Sequence, residues 1–112
     1  MLEDERMLLM YKEITADELQ QRLDAGEQIN LIDVREPDEW EAGHIAQARL
    51  IPLSEFNTRQ NEVHDIEGDV IFICRSGARS GRVCEYMARQ GFEVTNVSDG
   101  NLGWHGPVVY GQ

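Results

Sequence analysis

Val70-Ile71-Phe72-Ile73-Cys74-Arg75-Ser76-Gly77-Ala78-Arg79-Ser80 is the stretch that decides the fold. Its first four residues are a short apolar run of β-forming types, which predicts a buried strand over Asp69 to Ile73. Downstream, Val83, Cys84, Met87 and Ala88 recur at helical spacing, which predicts a helix over Ser80 to Gln90 that Gly91 stops. Between strand and helix lies a tight loop of small residues and two arginines. A cysteine held there faces several backbone N–H groups and the positive end of a helix dipole. Such surroundings favour thiolate over thiol and make the sulfur a nucleophile. The same surroundings hold an anion. The loop therefore predicts an enzyme that attacks an anionic substrate with sulfur, the ionised atom lying on the floor of a shallow bowl.

The same reading extends along the chain. Tyr11 to Ile14 predicts an edge strand, and Thr15-Ala16-Asp17-Glu18 is a capping box that opens a helix carrying Leu19 and Leu23, closed by Gly26. Ile29 to Val34 predicts a second strand. Pro37 opens a short acidic helix over Asp38 to Ala42, stopped by Gly43. Ala48 to Ile51 predicts a strand, Leu53 to Asn61 a helix, and Glu62 to Gly68 a polar connector. Phe92 to Val97 predicts the last strand, and Asn101 to Trp104 a final helical turn. Strands alternating with helices place the chain in the α/β class, with a parallel sheet covered on both faces. Ligands of such folds bind outside the carboxyl ends of the strands, where Cys74 stands.

Bulk properties narrow the function. At 112 residues the chain has room for one modest core, and residues 11–112 are read as a single domain. Residues 1–10, acidic and with a short apolar run, are read as an arm or short helix rather than a signal peptide or a membrane span, which makes the expected location cytoplasmic. The 21 Asp and Glu against 10 Lys and Arg leave a net charge of −11, which speaks against nucleic-acid and anionic-membrane partners. Against that global charge, Arg75, Arg79, Arg82 and Arg89 gather on the loop and its helix. Capture of an anion must therefore be local. Two cysteines do not make a disulfide scaffold, and with three scattered histidines they offer no metal-ligand spacing, so neither a metal nor a cofactor is expected.

The motifs, taken together, resemble a single-domain rhodanese. Leu31-Ile32-Asp33-Val34-Arg35-Glu36-Pro37 is followed by Glu39-Trp40, Gly43-His44-Ile45 and Ile51-Pro52, then by the cysteine loop, Gly91-Phe92, Asp99-Gly100 and Trp104. The resemblance spans about residues 11 to 106. Two positions depart from it: Ala46-Gln47 stand where the family commonly has Pro-Gly, and Asp99-Gly100 where it has paired glycines. The resemblance implies a three-layer α/β fold with a five-stranded, mainly parallel sheet flanked by helices on both faces. It also implies sulfurtransferase activity, in which Cys74 takes a sulfane sulfur from a small anionic donor such as thiosulfate, or from a persulfide. The acceptor would be cyanide, a thiol or a protein.

Within that expectation Cys74 is the catalytic residue, and Arg75, Ser76, Gly77, Ala78, Arg79 and Ser80 form the substrate-binding loop. Gly77 is free to take a positive φ and turn the amides inward. Ser80 is also the expected helix cap. Arg75 is expected at the mouth of the site. Arg79 either meets substrate or forks onto Asp33 or another carboxylate beneath the loop. Asp33 and Arg35 are expected to support the loop. His44 reads as a satisfied structural donor, and Cys84, on the apolar stripe, as core, with a resolving thiol as the alternative. Trp40 and Trp104 read as core or rim anchors. Two other functions compete: a partner-binding module without turnover, and a small oxyanion phosphatase or arsenate reductase. The latter is disfavoured because only four residues separate Cys74 from Arg79, one fewer than in tyrosine-phosphatase-type loops.

Overall fold

The computed structural model describes residues 10–112, so the arm expected at the N-terminus lies almost wholly outside the described residues. Strands β1 (Lys12–Ile14), β2 (Asn30–Asp33), β3 (Arg49–Leu50), β4 (Val70–Ile73) and β5 (Val94–Val97) form one sheet in the order β1-β5-β4-β2-β3. Every pairing is parallel. Between the strands run α1 (Ala16–Asp24), α2 (Pro37–Glu41), α3 (Leu53–Arg59), α4 (Asn61–His64) and α5 (Ala78–Arg89), and a 3₁₀ turn, Gly100–Gly103, follows β5.

The middle strand explains the layering. Side chains of a strand alternate between faces. Phe72 and Val70 join one core cluster with Phe56 of α3, Val63 of α4 and Val83, Cys84 and Met87 of α5. Ile71 and Ile73 join the other, with Ala16 and Leu19 of α1. Both faces are thus covered, and β4 is apolar throughout because it has no solvent side. Phe72, Ile71 and Ile73 are essentially unexposed, and burial of such side chains stabilises the fold by about 1.5–3 kcal/mol each. The next residue in the alternation after Phe72 is Cys74, which lands on the α5 face at the carboxyl end of the central strand.

Local signals explain the helix starts. Thr15 Oγ1 accepts the Glu18 N–H at 3.1 Å, and Glu18 Oε1 accepts the Thr15 N–H at 2.8 Å, the reciprocal pair of the expected capping box. Pro37 begins α2 at a position that needs no N–H donor. The two departures from the family pattern are accommodated. Ala46 and Gln47 are the central residues of a turn closed by the Ala48 N–H on the Ile45 carbonyl at 3.0 Å. Asp99 has an ordinary negative φ of −104°, and its carboxylate accepts the Ala16 N–H at 2.8 Å.

Two expectations need correction. Glu62 to Gly68 is not wholly a connector, since Asn61–His64 forms the short helix α4 and buries Val63. The helix after the cysteine loop starts at Ala78, two residues early, and its cap is Gly77, not Ser80. The chain after residue 106 also contributes, through an antiparallel bridge between His44 and Val109.

Candidate active site

The cysteine loop is a short turn made tight by one residue. Gly77 has φ +94°, and a Cβ there would stand 2.2 Å from the Ser98 carbonyl oxygen. Only glycine allows this conformation together with that approach. The turn points the Gly77 N–H at Cys74 Sγ, 3.1 Å away. The early start of α5 then brings Ser80 over the same atom, its N–H at 3.4 Å and its hydroxyl at 3.3 Å. Burial pushes the Cys74 thiol up. The Ser80 hydroxyl and the N–H groups of Ser80, Gly77 and Ser76 outweigh it and bring the thiol below the ordinary cysteine value.

The sulfur is more enclosed than expected. Cys74 has 0% exposure, so the shallow open bowl is not what the structure contains. The reason is the shifted helix start, which closes the Ser80 hydroxyl and the Gly77 turn onto the sulfur. The residues that face solvent around it are Arg75, Ser76 and Ala78. The strand side of the loop is equally fixed. The Asn101 N–H and Nδ2–H donate to the Cys74 carbonyl at 2.8 and 3.1 Å, and the Leu102 N–H donates to the Arg75 carbonyl at 3.0 Å. Gly100 makes this docking possible, for a Cβ there would lie 2.5 Å from both carbonyl oxygens.

The two loop arginines part company. Arg79 forks onto Glu39 of α2, Nη1 and Nη2 meeting the two carboxylate oxygens at 2.8 and 2.9 Å. Of the two roles open to it in the sequence, the structure contains the fork, and the carboxylate is Glu39 rather than Asp33. Arg75 is exposed, and among the described residues no carboxylate lies within ion-pair distance of it. Asp33 and Arg35 form a buried pair of their own, with Arg35 Nε and Nη2 on the Asp33 carboxylate at 2.8–3.1 Å. Arg35 Nη2 also donates to the Gly43 carbonyl at 2.9 Å. Neither residue hydrogen-bonds to the cysteine loop. Their grip on it is indirect: Gly43 ends the helix whose Glu39 holds Arg79.

The Arg79 fork outweighs partial burial and, with the Glu36 N–H, holds the Glu39 carboxyl at about 2, against an ordinary 4.5. A carboxyl depressed on folding contributes stability that is fully present above pH 4.5 and is lost as pH falls through 2. Glu39→Gln is therefore expected to lower stability at neutral pH by about 1 kcal/mol. It should also flatten the acid limb of a stability–pH profile between those values, as read by urea unfolding. An unaltered acid limb would mean that the fork does not hold the loop.

The remaining candidates are structural. His44 donates from Nδ1 to the Trp40 carbonyl at 2.7 Å and stacks on the Trp40 ring at 3.5 Å between centroids. Trp104 packs on the rim of the α1-side cluster and donates from Nε1 to the Pro107 carbonyl at 3.1 Å. Cys84 is fully buried in the α5-side cluster, and burial pushes its thiol far up, which favours the protonated form. Cys84→Ala is expected to keep activity and to cost roughly 1 kcal/mol in a thermal or urea melt. Loss of activity in the folded variant would revive a redox role. Among the described residues no group of acidic, histidine or cysteine side chains could hold a metal ion, and no helix is long and apolar enough to cross a membrane.

Sequence reading missed three participants: Glu39, Asn101 and Asn96. Asn96 lies on β5 with 3% exposure and accepts the Ser80 hydroxyl on Oδ1 at 2.6 Å. One signal was available, a lone amide in the otherwise β-forming run Val94-Thr95-Asn96-Val97.

A parallel sheet whose middle strand delivers a cysteine into N–H donors at a helix start defines an α/β domain of the cysteine-loop kind. The Rhodanese-like domain model matches residues 15–107, and the chain belongs to that family. It is 41% identical over 95 residues to a putative sulfurtransferase, YtwF, of Bacillus subtilis, covering 85% of this chain and 91% of that one. It is 38% identical over 104 residues to a protein named sulfurtransferase from Allochromatium vinosum, covering 89% and 96%. A rhodanese-like domain protein from Staphylococcus aureus superposes with a TM-score of 0.76 at 30% identity, over 90% of this chain and 99% of that one.

Proposed function

We propose that the chain is a sulfurtransferase that carries a sulfane sulfur on Cys74 as a persulfide. The observation that carries this reading is the cradle on one sulfur atom: the Gly77 N–H, the Ser80 N–H and the Ser80 hydroxyl within 3.4 Å of Sγ. In the first step the Cys74 thiolate attacks the outer sulfur of thiosulfate. The sulfur–sulfur bond breaks, and its electron pair leaves with sulfite, so charge is conserved and no proton moves. In the second step cyanide, a thiolate or a protein thiolate attacks the outer sulfur of the persulfide, and Cys74 leaves as thiolate. A persulfide donor enters by the same displacement. No general base is needed, which agrees with the structural role of His44.

The loop divides the work. The N–H groups of Ala78 and Arg79, in the first turn of α5, have no acceptor within the helix. They are available for the charge on the outer sulfur and on the departing sulfite, the task of an oxyanion-stabilising site. Ser76 and Arg75 take the solvent side. Arg79 acts through Glu39, and Asp33 and Arg35 act through Gly43, as positioning residues. That commitment of Arg79 also weighs against a phosphatase, which would need its guanidinium on the phosphoryl group. Both cysteines are free, and a working thiolate suits the reducing cytoplasm.

The test is thiocyanate formation from cyanide with thiosulfate, and separately with glutathione persulfide, as donor. Turnover with either supports the reading, and none with both overturns it. Arg75→Ala is expected to raise the thiosulfate KM roughly tenfold while kcat changes less than about threefold, because an exposed cation captures an anion without reaching the reacting atoms. An unchanged KM would remove Arg75 from the site.

A further inference from the structure

Ser80 has one hydroxyl hydrogen and two acceptors within reach. Asn96 Oδ1 is at 2.6 Å and Cys74 Sγ at 3.3 Å. The amide cannot turn to relieve the competition. Its Nδ2 faces two acceptors, Glu13 Oε2 at 3.2 Å and the Gly77 carbonyl at 3.2 Å, so exchanging oxygen and nitrogen would set an acceptor against each of them. The fold also makes room for this amide. Gly81 stands opposite, where a Cβ would lie 3.3 Å from Nδ2. A chain of hydrogen-bonding groups thus runs from the exposed Glu13 carboxylate through the buried Asn96 and Ser80 to the sulfur.

We propose that the Ser80 hydroxyl is a two-position donor, and that Asn96, oriented by Glu13 and Gly77, is the positioning residue that sets how it divides between amide and sulfur. The idea rests on the sulfur-carrier reading above. In the free thiolate the full charge is on Sγ, and the hydroxyl turns to it. Once the outer sulfur is attached, the charge resides on that sulfur, and Sγ becomes a weak, neutral acceptor. The hydroxyl then returns to Asn96. The exchange needs only rotation about the Ser80 C–O bond, and the two N–H donors stay in place. Asn96 thereby keeps the free thiolate from being held too strongly to react, and it offers the hydroxyl a partner whenever Sγ is uncharged. Glu13, by accepting from Nδ2, polarises the amide and strengthens Oδ1 as an acceptor.

Few charges bear on this centre. Arg79 of α5 is engaged by Glu39, and Asp33 at the end of β2 is engaged by Arg35. Glu13 on β1 meets the far side of Asn96. Tyr11 and the Cys84 thiol lie on the same side, both pushed up chiefly by burial and so uncharged near neutral pH.

The test reads the Cys74 thiolate by its ultraviolet absorbance across pH, with Cys74→Ser as blank and no sulfur donor present. At one pH below the native midpoint, Ser80→Ala is expected to lower the thiolate fraction about tenfold, the size of one hydrogen bond to an ionised group. Asn96→Ala, which frees the hydroxyl for sulfur, is expected to raise it about threefold. A loosened loop would move both variants in one direction, so the opposite signs are diagnostic. Glu13→Ala, at an exposed position, should also raise the fraction and serves if Asn96→Ala does not fold. In the Ser80→Ala background the Asn96→Ala gain should disappear, and the Glu13→Ala gain should shrink to the part due to its lost charge. An Asn96→Ala gain that persists there, a Glu13→Ala gain that does not shrink, or Ser80 and Asn96 variants that shift alike, overturns the proposal. Because no donor is used, an inactive protein with these shifts would sink only the sulfur-transfer reading, and an active protein without them only this inference.

Discussion

Cys74→Ser is expected to abolish sulfur transfer, by roughly 10⁴-fold or more, while leaving the fold intact. The loss is chemical. A serine hydroxyl is not ionised near neutral pH, and an alkoxide is a far poorer leaving group than a thiolate when the persulfide is discharged. The fold survives because serine is close to cysteine in shape. The donors that meet Sγ, the Gly77 N–H and the Ser80 N–H and hydroxyl, can equally meet an oxygen. Circular dichroism and a urea midpoint within about 1 kcal/mol of the parent check the fold, and thiocyanate release checks the activity. A folded serine variant with residual transfer above the background reaction would move the sulfur carrier elsewhere in the chain.

Gly77→Ala is expected to have the second largest effect, and it acts on geometry instead of on the nucleophile. Two costs combine. The residue sits at φ +94°, where a Cβ is strained by roughly 1–2 kcal/mol. That Cβ would also lie 2.2 Å from the Ser98 carbonyl oxygen and 3.1 Å from the Val97 carbonyl oxygen. Neither can retreat readily, since Val97 pairs with Ile14 in the sheet and the Ser98 N–H is bound to the Ile14 carbonyl at 2.8 Å. The loop must therefore give way, and the Gly77 N–H leaves the sulfur. We expect a stability loss of about 2–4 kcal/mol and a fall of about 100-fold in turnover of the folded protein, the effect of removing one preorganised donor. Gly26→Ala is the control. Its φ is +84°, but nothing lies within 4 Å of its Cβ, so it has the strain without the collision. Equal effects of the two substitutions would mean that the cysteine loop is not held against Ser98.

What could be read in the sequence is what local chemistry determines. The run Val70 to Ile73 with no polar alternation gave a doubly covered strand, and the α5 stripe of Val83, Cys84 and Met87 gave its partner helix. The Thr15–Glu18 box gave the start of α1. The start of α5 was misplaced because serine is a common cap, whereas the actual cap is a glycine in the left-handed region, a choice forced by contact with Ser98 that no neighbour in sequence announces. α4 was missed because a four-residue helix with Val63 as its one buried side chain carries too little periodicity. The carboxylate for Arg79 was open in the sequence because a guanidinium fork suits any partner the fold brings near, and Glu39 is 40 positions away. Asn96 and Asn101 reach the loop across sequence separations of 16 and 27, through a side chain and a main-chain carbonyl respectively. Contacts of that kind exist only once the sheet order is set. The enclosure of the sulfur follows from the same unannounced shift of the helix start.

The most direct measurement of the central claim is intact mass after brief treatment with thiosulfate, followed by cyanide. The account predicts a gain of one sulfur atom on the parent protein, its removal by cyanide with release of thiocyanate, and no gain on Cys74→Ser. A parent chain that gains nothing from thiosulfate or from a persulfide donor, or a serine variant that gains the same mass, would contradict it.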